Sequence, residues 1–413
     1  MYMNQKLRQD AELIVREAIR QVSPSQAVKK ALEQEHFSGR IFLVAVGKAA
    51  WEMARTAKAC LQQEIYQGVV VTKYKHVEAP IEGVTCYEAG HPVPDENSFL
   101  ATEKVLEMTS DLQKDDTVLF LLSGGGSALF EKPLVAGEEL QSITNQLLHS
   151  GADIVEMNTI RKRLSGVKGG RFAKWCEPAQ VKTIVLSDIL GDPLDMIASG
   201  PTEADSSTCE DALAIAEKYR LELSEKAREC LQTETPKHIT NVDTQIIGSV
   251  KELCNAAQVK CEELGYETIF LTDGLNCEAK EAGRFLAAIA KSHRGKGKLA
   301  FLAGGETVVH VTGNGLGGRN QELVLAAAKE IAGCQNIAII SVGSDGTDGP
   351  TDAAGGYADG ETFAALQRAG ISYEQVMSEN DAYHGLEAIG GLIITGPTGT
   401  NVNDISIALI DEA

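Results

Sequence analysis

Short β-branched apolar runs alternate with amphipathic stretches of helical length through most of the chain. That is the pattern of βα units around largely parallel sheets buried on both faces. The clearest predicted strands of the first half are IFLVAV at 41–46, TVLFLL at 117–122 and VKTIVLS at 181–187. A Gly-rich or acidic turn follows each at once, so three loops stand at carboxyl strand ends, where open α/β sheets bind ligands. Near the N-terminus Leu13, Ile14, Ala18, Ile19 and Val22 recur at helical spacing among charges. This predicts an amphipathic helix and not the unbroken apolar core of a secretion signal.

From Leu221 to Asp243 the rhythm weakens into a polar stretch holding Pro236. The domain boundary is placed there, with residues 1–235 and 236–413 as two α/β domains expected to move about this segment. The rhythm then resumes: a strand at QIIGS (245–249), a helix ending near Leu264, a strand at ETIFLTD (267–273) and a helix over 277–293. A pair of strands in KLAFLAGGETVVHVTG (298–313), a helix over 320–332 and the runs NIAIISVG and GLIITG complete the reading.

Composition narrows the function. With 413 residues, 43% hydrophobic and 23% charged, the chain suits two packed domains and leaves little for disorder. A net charge of −20 opposes any electrostatic grip on nucleic acid or an anionic membrane, and no apolar run is long enough to span a bilayer. Nine scattered cysteines without a Cys-x-x-Cys pair read as reduced thiols of a cytoplasmic protein. In so acidic a chain, the cations lying in Gly-rich loops are informative: Lys48, Arg161, Lys162, Lys168 and Arg319.

The strand-end loops carry the candidate chemistry. After 41–46 come Gly47, Lys48 and an Ala-rich helix start, where open N–H groups and a full positive charge suit a phosphoryl oxygen; the plainer alternative is a lysine on a surface turn. After 117–122, Ser123, Gly124, Gly125, Gly126 and Ser127 allow close backbone approach and can turn several N–H groups toward one anion. The spaced ending of a Walker A loop is absent. The run MNTIRKRLSGVKGGRFA at 157–173 groups Arg161, Lys162, Arg163, Lys168 and Arg171. A charge run is ordinarily a solvated helix face, but the interruption by Ser165, Gly166, Gly169 and Gly170 points to a basic loop for phosphate or carboxylate. Asp188 ends the third strand, with Asp192 and Asp195 close behind; such carboxylates hold Mg²⁺, serve as a base toward a hydroxyl, or merely shape the turn.

In the second half Glu306 precedes a Gly-rich loop and then Arg319, Asn320, Gln321 and Glu322 at a helix start. Gly313, Gly315 and Gly318 satisfy the dinucleotide fingerprint, but the ribose-binding acid about twenty residues on is missing, because the chain there is still helical around Glu330. An arginine directly behind the glycines suits charge on a transferring phosphoryl group. Asp345, Asp348 and Asp352 crowd one Gly-rich turn without EF-hand spacing, and Thr398, Thr400, Asn401, Asn403 and Asp404 crowd another. Both also read as plain turn chemistry. His91, in a Pro-rich loop, is the one histidine singled out, and no zinc-ligand spacing or Ser/His/Asp arrangement stands out.

Taken together, GKAA at 47–50, GHPVPDENS at 90–98, SGGGSAL at 123–129, MNTIRKRLSGVKGG at 157–170, SDILGDPLDMIASGPT at 187–202, GGETVVHVTGNGLGGRNQE at 304–322, DGTDGPTDAAG at 345–355 and TGPTGTNVND at 395–404 resemble the glycerate 2-kinases with a C-terminal MOFRL domain, over nearly the whole chain. The resemblance implies a Rossmann-like N-terminal domain, a C-terminal α/β MOFRL domain with a mixed sheet, and an active site in the cleft between them. It implies phosphorylation of D-glycerate to 2-phosphoglycerate by ATP with Mg²⁺, and makes Lys48 and Arg319 the leading catalytic residues. Ser123, Gly124, Gly125, Gly126, Ser127, Arg161, Lys168, Glu306, Asn320, Glu322, Thr400 and Asn401 are then expected at nucleotide or substrate. The base stays open, with Asp188 the first choice and Asp345 or Asp348 as competitors, and Asp188, Asp345 and Asp348 are the expected metal ligands. This chain has RKRLS where the family more often has RKHLS, which leaves Arg163 without an assigned role. The expected partner is a small molecule, with neither nucleic acid nor membrane, and a homodimer is compatible. Two rival readings stand beside it: an NAD(P)H-dependent hydroxypyruvate reductase, carried by the glycine fingerprint, and a non-catalytic sensor of a sugar acid or nucleotide.

Overall fold

A computed structural model describes residues 5–33, 35–61 and 65–412. The first sheet comprises β1 (Ile41–Val46), β2 (Ile65–Lys73), β3 (Val84–Ala89), β4 (Thr117–Leu122), β5 (Gln180–Leu186) and β6 (Val242–Gly248), in the order β3-β2-β1-β4-β5-β6. β1 to β5 run parallel. Every residue of β1 and β4 is buried, as strands covered on both faces require. Their neighbour β5 brings a third carboxyl end to the same edge.

The second sheet comprises β7 (Glu267–Leu275), β8 (Lys298–Gly305), β9 (Ile337–Gly343), β10 (Gly355–Asp359), β11 (Leu392–Ile393) and β12 (Asp404–Asp411), in the order β11-β10-β9-β12-β8-β7. It is mixed: β7 and β8 are parallel, while β12 lies antiparallel between β8 and β9. The molecule is therefore a two-domain α/β protein with one largely parallel and one mixed sheet.

Several expectations need correction. The segment 306–312, read as a second strand after β8, has only one isolated bridge, Glu278 to Val308, and Val308 and Val311 are exposed. The polar stretch 221–243 holds the helix Glu225–Leu231 and the start of β6. One compact unit is Ala27–Ser187 with Asp192–Ile247, and the other described residues form the second. That division differs from one at 235/236, and the 221–243 segment lies wholly inside one unit. The physical reasons are that β6 completes the first sheet, and that the N-terminal helix Gln5–Gln21 sets Leu7, Ala11, Ile14, Val15, Ala18 and Ile19 into the core under β8, β9 and β12. The helix at Leu13 is as expected, but Leu13 itself is exposed. Among the described residues no helix is long and apolar enough to cross a membrane.

Candidate active site

In the parallel-sheet unit, the loops after β1 and β4 are stitched together by backbone bonds. Lys48 N–H donates to the Gly124 carbonyl at 2.9 Å, and Ser123 Oγ accepts from Ala49 N–H at 3.1 Å. Ser123 is thus buried and occupied in holding the loop, which corrects its expected place at a ligand. Gly125 has φ of 90°, a conformation that glycine adopts without penalty. A Cβ there would also press on the His91 ring at 3.0 Å and on Lys48 Cγ at 3.3 Å. His91, Gly125 and Lys48 are therefore packed together. Burial and the charges of Lys48, Lys73 and His76 hold His91 below its ordinary range, so near neutrality it is an uncharged donor or acceptor.

The N–H groups of Gly124 and Gly125 have no protein acceptor among the described residues, and the short helix Gly126–Leu129 begins directly behind them. Ser127 Oγ meets Ser199 Oγ at 3.2 Å, and Ser199 in turn donates to Asn158 at 2.9 Å. Arg161 lines the same small hollow as Ser127. Lys48, the glycine loop, Ser127 and Arg161 are thus gathered on one side of this unit as an anion-receptive surface.

The rest of the basic run does something else. Arg161, Lys162 and Arg163 form the last turn of the helix Ile154–Arg163 and not a loop. Lys162 Nζ pairs with Asp195 at 3.0 Å and Asp205 at 3.1 Å. Arg163 donates to Ser207 Oγ at 2.9 Å and to its carbonyl at 2.8 Å. Lys168 is wholly enclosed, its ammonium on Glu131 at 2.6 Å and the Phe130 carbonyl at 2.7 Å. Lys168 is accordingly removed from the ligand set, since a cation saturated inside the core cannot reach an incoming phosphate.

The mixed-sheet unit holds a cavity of about 610 Å³ lined by Leu190, Glu306, Val308, Val311, Arg319 and Glu322 among others, a volume suited to a small ligand or nucleoside. A hollow of similar size beside the helix Gly137–His149 contains none of the expected site residues. Arg319 is the first residue of the helix Arg319–Glu330. Its Nε and Nη2 grip Asp404 at 2.5 and 3.0 Å, and Nη1 faces Glu306 at 3.3 Å. Burial pushes the Asp404 carboxyl up to about 6 against the pull of Arg319. For the guanidinium the balance reverses: burial would lower it, but Asp404, Glu306 and Asp348 hold it above its ordinary value. Above about pH 6 the pair is charged on both sides. Glu322 is raised by burial, opposed by a hydrogen bond from Asn380 at 3.1 Å.

Other expected ligands are spent on structure. Asp348 accepts from Asn320 N–H at 3.1 Å and Gln321 N–H at 2.9 Å, so it caps the helix that carries Arg319 and is withdrawn as a metal ligand. Asn320 is buried between Asp348 and Ser341, and Thr400 is buried on the Val22 carbonyl at 3.2 Å; both are corrected from ligand to scaffold. Asn401 is exposed, its side chain accepting from Asn403 N–H at 3.4 Å. Asp345 closes a turn onto Thr347 N–H at 2.9 Å through one oxygen. Asp188 follows β5 by two residues, and Asp188–Gly191 counts with the mixed-sheet unit. Among the described residues, no group of three or more His, Cys, Asp or Glu is placed to hold a metal.

The dinucleotide fingerprint has a different use. A Cβ at Gly313 would meet Glu379 backbone at 2.2 Å, one at Gly315 would meet Asp381 at 2.4 Å, and one at Gly318 would meet Asp348 at 2.2 Å. These glycines admit the close approach of the chain's own segments. Sequence reasoning placed Asp404 in a candidate turn without a role of its own, and did not single out Asn380 or Ser199. Asp404 carried a visible signal, a carboxylate between a Gly/Asn-rich turn and an apolar run.

Similarity to known proteins spans nearly the whole chain. The model described as Domain of unknown function (DUF4147) matches residues 10–232, and that of the MOFRL family residues 299–404. A D-glycerate 2-kinase of Thermotoga maritima is 52% identical over 417 residues, covering 99% of this chain and 100% of the relative. A putative hydroxypyruvate reductase of Agrobacterium vitis is 39% identical, covering 98% of this chain and 94% of the relative. The crystal structure of the Thermotoga maritima glycerate kinase matches with a TM-score of 0.96, over 98% of this chain and 100% of that one.

Proposed function

The chain belongs to the glycerate kinase family, and from that premise we propose that it transfers the γ-phosphoryl group of ATP to the 2-hydroxyl of D-glycerate. The acceptor oxygen forms a bond to the γ-phosphorus, the bond from that phosphorus to the β,γ-bridging oxygen breaks, the hydroxyl proton passes to a base, and ADP leaves. Such transfers need positioning and charge stabilisation more than covalent help from the protein. Lys48 and Arg319 steady phosphoryl oxygens, the Gly124–Ser127 loop and Arg161 receive an anionic group, and Asp188 takes the proton. Glu306 and Glu322 line the cavity and hold or orient bound hydroxyl groups.

Magnesium ordinarily keeps several waters and takes one or two carboxylates beside the nucleotide phosphates. The residues fit that sparse mode: Asp345 commits one carboxylate oxygen to its turn, and its other oxygen and Asp188 are the proposed ligands. When bound, the ion would neutralise charge on the β- and γ-phosphates.

The observation that most supports this reading is the Arg319 guanidinium, kept charged and fixed by two carboxylates on the wall of the cavity. The test is direct. With D-glycerate, ATP and Mg²⁺, phosphorus NMR should show 2-phosphoglycerate and ADP, and Lys48→Ala and Arg319→Ala should each lower kcat roughly 100-fold or more in folded protein. Oxidation of NADH by hydroxypyruvate without ADP release would overturn it.

A further inference from the structure

A guanidinium that must meet a transferring phosphoryl group needs its plane and its free edge fixed beforehand, because electrostatic stabilisation works through pre-organised groups. Arg319 is fixed at both ends. Its backbone opens a helix whose N–H groups are capped by Asp348. Its side chain is gripped through Nε and Nη2 by the two oxygens of Asp404, a two-bond fork that sets the plane as a single contact could not. We propose that Asp404 is a positioning residue for phosphoryl transfer, acting through Arg319 and without touching substrate.

Three features of the surroundings support this. Asp404 is the first residue of β12, paired to Gly305 of β8 and Gly343 of β9, so the carboxylate is anchored in the middle of a sheet. It is itself buried, while Arg319 keeps about a third of its side chain exposed and lines the cavity. The wholly structural pair Lys168–Glu131 is enclosed on both sides, so the half-open pair is not what burial alone would produce. Finally, the remaining edge of Arg319, Nη1, faces Glu306, which is half exposed and braced by Asn403 at 3.1 Å. A phosphoryl oxygen reaching that edge would displace Glu306, whose contact with Arg319 is longer than that of Asp404.

The inference rests on the reading that Arg319 serves phosphoryl transfer, and the experiment separates the two. Full-length wild type, Asp404→Asn, Asp404→Glu, Arg319→Ala and the Arg319→Ala/Asp404→Asn double variant are compared by steady-state kinetics, with near-ultraviolet circular dichroism reporting the fold. Asp404→Asn should lower kcat roughly 100-fold while both KM values stay within about threefold, and should add nothing to the loss in Arg319→Ala. Asp404→Glu, which keeps the charge but moves it by one methylene, should lower kcat about tenfold, and this variant carries the test where Asp404→Asn does not fold. Unchanged kcat in folded Asp404 variants, a rise in KM alone, or an added loss in the double variant overturns the positioning role. Undiminished turnover in Arg319→Ala removes the premise, and the inference with it.

Discussion

Lys48 and Lys168 look alike in the sequence, each a lysine beside glycine in an acidic chain, yet they have opposite physical situations. Lys48 stands half-buried at a strand end beside a glycine loop. Lys168 is enclosed, and burial lowers its ammonium against the opposing pull of Glu131. Removing one member of a buried pair leaves the other charge uncompensated, a loss of about 3–5 kcal/mol. Lys168→Ala should therefore shift the urea midpoint strongly downward, while the KM for ATP of whatever remains folded changes little. A raised KM at unaltered midpoint would restore Lys168 to the ligand site. What separates the two lysines is the partner: Glu131 lies 37 positions away, a pairing that composition and local spacing do not encode. For the same reason the basic run reads as one ligand-binding loop, although Asp195, Asp205 and Ser207 consume Lys162 and Arg163.

The helix Arg319–Glu330 shows what can and cannot be read for a whole element. Its range was legible to within two residues at either end, because Leu323, Val324, Ala327 and Ala328 repeat at helical spacing and are buried. Its cap was not legible. Gly318 occupies the N-cap position without a side chain, and Asp348 supplies the missing acceptor from another loop. Asp348→Ala should then cost about 1–2 kcal/mol, the usual loss for an N-cap, and should also loosen the placement of Arg319 enough to lower kcat. Thermal unfolding and steady-state kinetics on the same preparation check both. A stability loss with kcat intact would confine Asp348 to the fold. β1 and β4 were readable because a doubly covered strand is an unbroken apolar run, and β5 because its last three residues, Ile184, Val185 and Leu186, are one. The stretch 306–312 misled because its three valines mimic strand composition while all of them line the cavity.

At the scale of the molecule, the N-terminal helix Gln5–Gln21 belongs to the core of the mixed-sheet unit, which no local pattern reveals. An amphipathic helix announces that it needs an apolar surface, not which one. Here Leu7, Ile14, Val15, Ile19 and Val22 lie within one core with Leu253, Leu302, Ile340 and Leu409. Polar ties reinforce the docking: Tyr266 donates to Asp10 at 2.8 Å, and Thr400 to the Val22 carbonyl at 3.2 Å. Each large buried side chain is worth roughly 1.5–3 kcal/mol, so the five together rival the ~5–15 kcal/mol net stability of a whole domain. A chain starting at Ala27 should therefore lose amide hydrogen-exchange protection across β8, β9 and β12, whereas peptides from β1 and β4, whose core contains no residue before Ala27, should keep theirs. Equal protection in both sheets would mean that the mixed sheet stands without its N-terminal helix. Loss in both would mean that the two compact units unfold as one.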